Sequence, residues 1–145
     1  MDLQRLLDSI IEQLSAEPKP VLTLAAGLGE CINDWAPGLP AILKPHHPSV
    51  REAQIIPVFD GSQAEQVWLR FTNAAQLHVR DLKKAYGEYR KIPGLHMQSP
   101  VKLAFEVDLP THPYTCSLVA ELDGEKGALK NRGVAALTLA RDIRL

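Results

Sequence analysis

Cysteine is nearly absent from this chain: Cys31 and Cys116 are its only two among 145 residues, and they form no C-x-x-C pair. A disulfide scaffold needs more of them, so a reducing, cytoplasmic setting is the expectation. Long apolar runs are missing too, and no stretch approaches the roughly 20 residues that cross a bilayer as a helix. The start, Met-Asp-Leu-Gln-Arg-Leu-Leu-Asp, mixes acids with apolar residues, unlike a basic and then unbroken apolar secretory signal. No membrane association is expected. Nor does one sign of charge prevail: 16 Lys and Arg stand against 17 Asp and Glu, a net charge of −1. That balance speaks against a dedicated nucleic-acid binder.

What is present suits a globular domain. Hydrophobic residues make up 46% and charged residues 23%, which excludes a disordered or collagen-like chain. Without an internal repeat or a linker, residues 1–145 are expected to form a single domain. Leu3, Leu6, Leu7, Ile10, Ile11 and Leu14 recur at helical steps and predict an amphipathic helix over 2–15, ended by Pro18 and Pro20. With only two heptads, this helix is expected to dock on its own sheet, giving a monomer or weak homodimer. Val21, Leu24, Leu28, Cys31 or Ile32, and Trp35 predict a second helix over 21–35, weakened by Gly27 and Gly29. Pro37, Pro40, Pro45 and Pro48 then predict an extended loop from Pro37 to Ser49, a candidate binding surface.

Beyond that loop the period changes to two. Strands are expected at 50–58, 66–72, 101–107, 114–122 and 134–141, with a turn at Asp60-Gly61 and a short helix over 78–86 closed by Gly87. The expected fold is therefore α+β: an antiparallel sheet of about five or six strands, two N-terminal helices and one inserted short helix. Trp68 stands opposite Val67, Leu69 and Phe71 on its strand, and a helix is expected to cover that second face. Otherwise Trp68 is an exposed anchor.

No residue set announces catalysis. Cys116 lies near His112 but shares its strand face with Tyr114, Leu118 and Leu122, so it reads as a buried, inert thiol. Cys31 falls on the apolar side of the expected helix and reads the same way. His46 and His47 are adjacent, His78, His96 and His112 are scattered, and none has metal-ligand spacing. Gly27-Leu28-Gly29 and Gly124-Glu125-Lys126-Gly127 make no phosphate loop. Glu106 and Asp108 share the polar face of one strand, where nothing raises a carboxyl pKa. No enzyme activity, metal or cofactor is expected.

Charge is unevenly spread along the chain. Residues 1–64 carry four basic and eight acidic groups, whereas 65–145 carry twelve and nine. Arg80, Lys83, Lys84, Arg90 and Lys91 cluster with Tyr86 and Tyr89, a basic and aromatic segment suited to an acidic partner. With His46 and His47 in the Pro-rich loop, these are the candidate partner-binding residues. The expected function is a non-enzymatic protein-binding domain, as an inhibitor, an immunity or antitoxin-like protein, or an adaptor. The competing reading is a small enzyme or ligand-binding domain whose pocket is assembled from residues distant in sequence.

Overall fold

The computed structural model describes residues 2–58, 61–93, 101–123 and 128–143. Asp60 of the expected turn, His96, and residues 124–127 lie outside them. Helix α1 (Leu3–Ser15) begins at Asp2, whose carboxylate accepts the Arg5 N–H at 2.8 Å and satisfies one of the free donors of the first turn. Its apolar stripe, Leu6, Leu7, Ile10, Ile11 and Leu14, is buried.

The expected helix over 21–35 is corrected. Helix α2 (Val21–Ala26) has six residues, and after Gly27 the chain enters strand β1 (Gly29–Cys31). Gly29 is pressed against the neighbouring strand so closely that a Cβ would collide with the Lys44 carbonyl. The glycines that weaken the helix thus end it and begin a strand. The loop expected from Pro37 to Ser49 is corrected as well, because it contains strand β2 (Ala41–Pro45). Ala41 and Leu43 point inward and Ile42 and Lys44 outward, while the prolines sit where they interrupt no ladder, Pro40 just before the strand and Pro45 at its end.

Strands β3 (Val50–Pro57) and β4 (Ala64–Phe71) follow, then a 3-10 turn at Asn73–Ala75 and helix α3 (Val79–Tyr86). Strand β5 (Tyr89–Ile92) comes next, where only a continuation of the basic segment is expected from sequence. Strands β6 (Lys102–Val107), β7 (Tyr114–Leu122) and β8 (Val134–Ile143) complete the chain. The sheet therefore has eight strands rather than five or six, all antiparallel, in the order β1-β2-β3-β4-β8-β7-β6-β5. It consists of two four-stranded meanders whose last strands, β4 and β8, pair at the centre around Trp68 and Thr138.

The three α-helices of the described residues pack on one face of this sheet. Helix α1 crosses β4, β7 and β8, α2 covers β1 to β3, and α3 reaches β6. Their buried side chains join Ile55, Val67, Leu69, Leu103, Phe105, Cys116, Leu118, Leu137 and Leu139 in one core. The alternate strand residues Trp68, Ala104, Val119 and Ala136 lie outside that core. The expectation of a helix over Trp68 is thus corrected: among the described residues no helix covers the face bearing Trp68. Two polar ties hold the helices down. Arg141 on β8 donates from Nε to the Leu14 carbonyl at 2.9 Å and from a terminal nitrogen to the Ala64 carbonyl at 2.6 Å. The Tyr86 hydroxyl donates to Asp8 at 2.8 Å and accepts from Gln4 at 2.7 Å, joining α3 to α1.

Candidate functional site: the helix-free face of the sheet

Cross-strand register builds this face row by row. The hydrogen bond from the Ile32 N–H to the Ile42 carbonyl (2.9 Å) sets Ile32 beside Ile42. Ile42 pairs with Gln54, Gln54 with Trp68, Trp68 with Thr138, Thr138 with Val119, Val119 with Ala104 and Ala104 with Arg90. A single row thus crosses the whole sheet, with Ile32 and Ile42 at one end, Trp68 and Val119 alternating with Gln54 and Thr138 through the middle, and a cation at the β5 edge. Ile32 is 63% exposed and Ile42 39%, and Trp68 and Val119 are half-buried by their strand neighbours alone.

A second row carries charges of both signs. Glu30 pairs with Lys44, Glu52 with Arg70, and Lys102 with Glu121. On the other side of the central row, Gln66 pairs with Ala140, Ala140 with Ser117 and Ser117 with Glu106. An apolar centre flanked by polar rows is how a docking patch is built, since the centre supplies desolvation and the rim supplies register. Two hollows interrupt the surface. One, of about 390 Å3, is lined by Ile32, Ile42, Lys44 and Gln54. The other, of about 480 Å3, lies along the β5 edge among Arg90, Ile92, Glu106, Val119 and Asp142.

The residues singled out in the sequence fall in three separate places. Arg80, Lys83 and Lys84 project from α3; Arg80 donates to Asn131 at 3.3 Å and Lys83 pairs with Glu88 at 3.4 Å. The aromatic members turn inward. Tyr86 is spent on Asp8 and Gln4, and burial together with the Asp8 contact pushes its hydroxyl pKa upward. Tyr89 leans on Phe105 with ring centroids 5.6 Å apart. Arg90 reaches the helix-free face, and Lys91 is exposed on the edge strand. His46 and His47 stand in the β2–β3 turn, where the His47 Nδ1 accepts the Ser49 N–H at 3.1 Å; with Leu6, Leu28 and Pro48 they line a cleft of about 280 Å3.

Cys116 is fully buried, and burial, reinforced by the Asp142 and Glu106 charges, pushes its thiol up to about 12. A thiol held so high is protonated at neutral pH and is not a nucleophile. Cys31, on β1 rather than on a helix, directs its thiol to the Asn33 side-chain oxygen at 3.2 Å, which also accepts the Ile42 N–H. Among the described residues no three His, Cys, Asp or Glu side chains stand together as a metal cluster, and no helix is long and apolar enough to cross a membrane. Ile42, Val119, Arg51 and Arg70 escaped the sequence reading, which took Ile32 only as a position of the expected second helix; alternation around Trp68 was the one signal of this face. Compared with known proteins, the chain matches no protein-family model, and neither a curated protein nor a solved structure shows significant similarity to it.

Proposed function

We propose that this chain is a non-enzymatic protein-binding domain that docks its partner on the helix-free face of the sheet. The observation supporting this is the uncovered row from Ile32 through Ile42 and Trp68 to Val119. An antiparallel sheet can leave one face to solvent, but here that face carries Ile32, Ile42, Trp68 and Val119 in line, while the helices of the described residues pack on the other. Covering the exposed parts of Ile32 and Ile42 contributes about 2–3 kcal/mol, and Trp68 is the residue type that most often anchors an interface. Arg90 extends the row at the β5 edge, so the basic segment enters the reading through that residue.

The test places a photo-crosslinking amino acid at Thr138, at the centre of the face, or at Lys84, on α3, in the cell of origin. A discrete heavier adduct from position 138 and none from position 84 is the expected result. Identified partner in hand, charge reversal at Arg90 slows association, while reversal at Lys83 and Lys84 leaves it unchanged. An adduct formed from position 84 alone would overturn the assignment of the face.

A further inference from the structure

At the end of the sheet where β3 begins and β4 finishes lies a cleft of about 280 Å3, bordered by Arg51, Arg70, Thr72, Asn73, Gln76 and Asp123. A β-bulge shapes one wall. Val50 pairs with Phe71 and Glu52 with Arg70, so Arg51 is an extra residue without a cross-strand partner. Such bulges re-aim a side chain, and this one brings Arg51 to the same cleft as Arg70. Neither guanidinium has a hydrogen-bond or ion-pair partner among the described residues. Although Glu52 stands across from Arg70 and Asp123 borders the cleft, neither forms an ion pair with these two cations, which leaves both guanidiniums able to take an external anion.

The opposite wall is held in an unusual shape. Gln76 has φ 49° and ψ 38°, and it is the one non-glycine with positive φ among the described residues. Side chains other than glycine adopt this conformation at a cost, and such residues gather at ligand sites. Beside it, a Cβ on Gly133 would come within 2.7 Å of both Asp123 carboxylate oxygens, so the missing side chain is what lets the Asp123 carboxylate lie against Gly133 at the cleft. His78, the remaining titratable group of the lining, has its Nδ1 turned to Asp81 at 3.6 Å.

Arg51, Arg70 and Asp123 sum to one positive charge. That balance suits one carboxylate, which a guanidinium binds through two parallel hydrogen bonds, better than a dianion. Asp123 in turn accepts from a donor. We propose that this cleft binds a small amino- or hydroxy-carboxylate, its carboxylate held by Arg51 and Arg70 and its ammonium or hydroxyl by Asp123. The cleft shares Arg70 with the charged row of the docking face, but its binding does not depend on that reading and is tested on the chain alone.

Amide shifts of the full chain are followed by NMR during titration with a panel of L-α-amino acids, L-lactate, acetate and inorganic phosphate. Saturable shifts at Thr72, Asn73, Gln76 and Gly133 are expected with at least one amino acid or with lactate, at concentrations up to about 100 mM. Arg51→Gln and Arg70→Gln should each weaken that binding about tenfold or more while leaving the remaining spectrum in place. Asp123→Asn should abolish the preference over acetate. Shifts that fail to saturate, that persist equally in the double variant Arg51→Gln/Arg70→Gln, or that are strongest with phosphate would overturn the proposal.

Discussion

Replacing Arg141 tests the most consequential polar contact of the fold. This side chain stands on the helix-covered side of β8, half-buried, and its two hydrogen bonds end on backbone carbonyls of α1 and β4. The Leu14 carbonyl belongs to the last turn of α1, where no intrahelical donor remains and where the helix dipole favours a cation. Burial lowers the guanidinium pKa, so part of the gain is offset by desolvation. Hydrogen bonds to charged groups are worth about 1.5–3 kcal/mol each, so two of them less desolvation give about 2–4 kcal/mol for Arg141→Met. Methionine keeps the apolar stem against its neighbours, including the Tyr114 ring that the guanidinium now covers at 5.3 Å, and isolates the polar loss. For a domain of this length the melting temperature should fall by roughly 4–16 °C. Arg141→Lys keeps the charge but cannot span both carbonyls and should recover less than half of the loss. Urea unfolding gives the free energies, and hydrogen exchange should show the last turn of α1 opening first. A loss below about 1 kcal/mol in Arg141→Met, or full recovery by lysine, would refute the reasoning.

Other substitutions probe separate features. Because the Cys116 thiol sits at about 12 when folded against an ordinary 9.0, the unfolded chain loses its proton first as pH rises. Stability should be level in this respect below pH 9 and fall by about 1.4 kcal/mol per pH unit between 9 and 12. Cys116→Ala should remove that component of the slope in urea titrations, leaving the Tyr86 contribution above pH 10. Tyr86→Phe should cost about 1–2 kcal/mol and loosen α3 from α1, visible as faster amide exchange in both helices. Gln76→Gly relieves the left-handed backbone and should raise stability by about 0.5–1 kcal/mol, read from the same unfolding curves. Ser15→Ala removes a fully buried hydroxyl with no partner among the described residues and should stabilise α1 by about 1 kcal/mol.

Long elements with a clean period were legible in the sequence. Six leucines and isoleucines placed α1, and alternation placed β3, β4, β6, β7 and β8 to within a few residues. The missed strands are short and lie toward the sheet edges. Three residues from Gly29 to Cys31 hold one and a half alternations, too few to separate from a helical period. In β2 the inward Ala41 and Leu43 were outweighed by prolines that in fact stand before the strand and at its last position. Tyr89-Arg90-Lys91-Ile92 has only Tyr89 turned to the core, so its charges masked its pairing with β6. The candidate site was less legible because it is defined by register. Ile42, Trp68 and Val119 are 26 and 51 residues apart, and only the pairings through Gln54 and Thr138 set them in line.

The sheet offers two kinds of attachment, edges and face, and the residues at each decide between them. An edge that recruits a partner strand needs length and an unhindered row of backbone groups. Strand β1 has three residues and is followed two residues on by Asn33, whose side chain accepts the Ile42 N–H and donates to the Pro40 carbonyl, closing the ladder. Strand β5 has four, two of them Arg90 and Lys91, and Pro93 follows. Short length, adjacent cations and a proline are the features that blunt an edge. The face has the opposite character: its charges are paired across strands in opposite signs and stand beside the central row rather than within its apolar part. A partner that covers it keeps those charges at the rim, where their solvation cost is small, and removes Ile32, Ile42 and Trp68 from water. Placing a lysine at Thr138 puts an unpaired charge at the middle of that contact. Thr138→Lys should therefore abolish docking while leaving the melting temperature within a few degrees, since the side chain has open solvent to occupy in the free chain. Retained partner binding in Thr138→Lys, measured by surface plasmon resonance against the crosslinked partner, would move the interface off the face and back toward the edges.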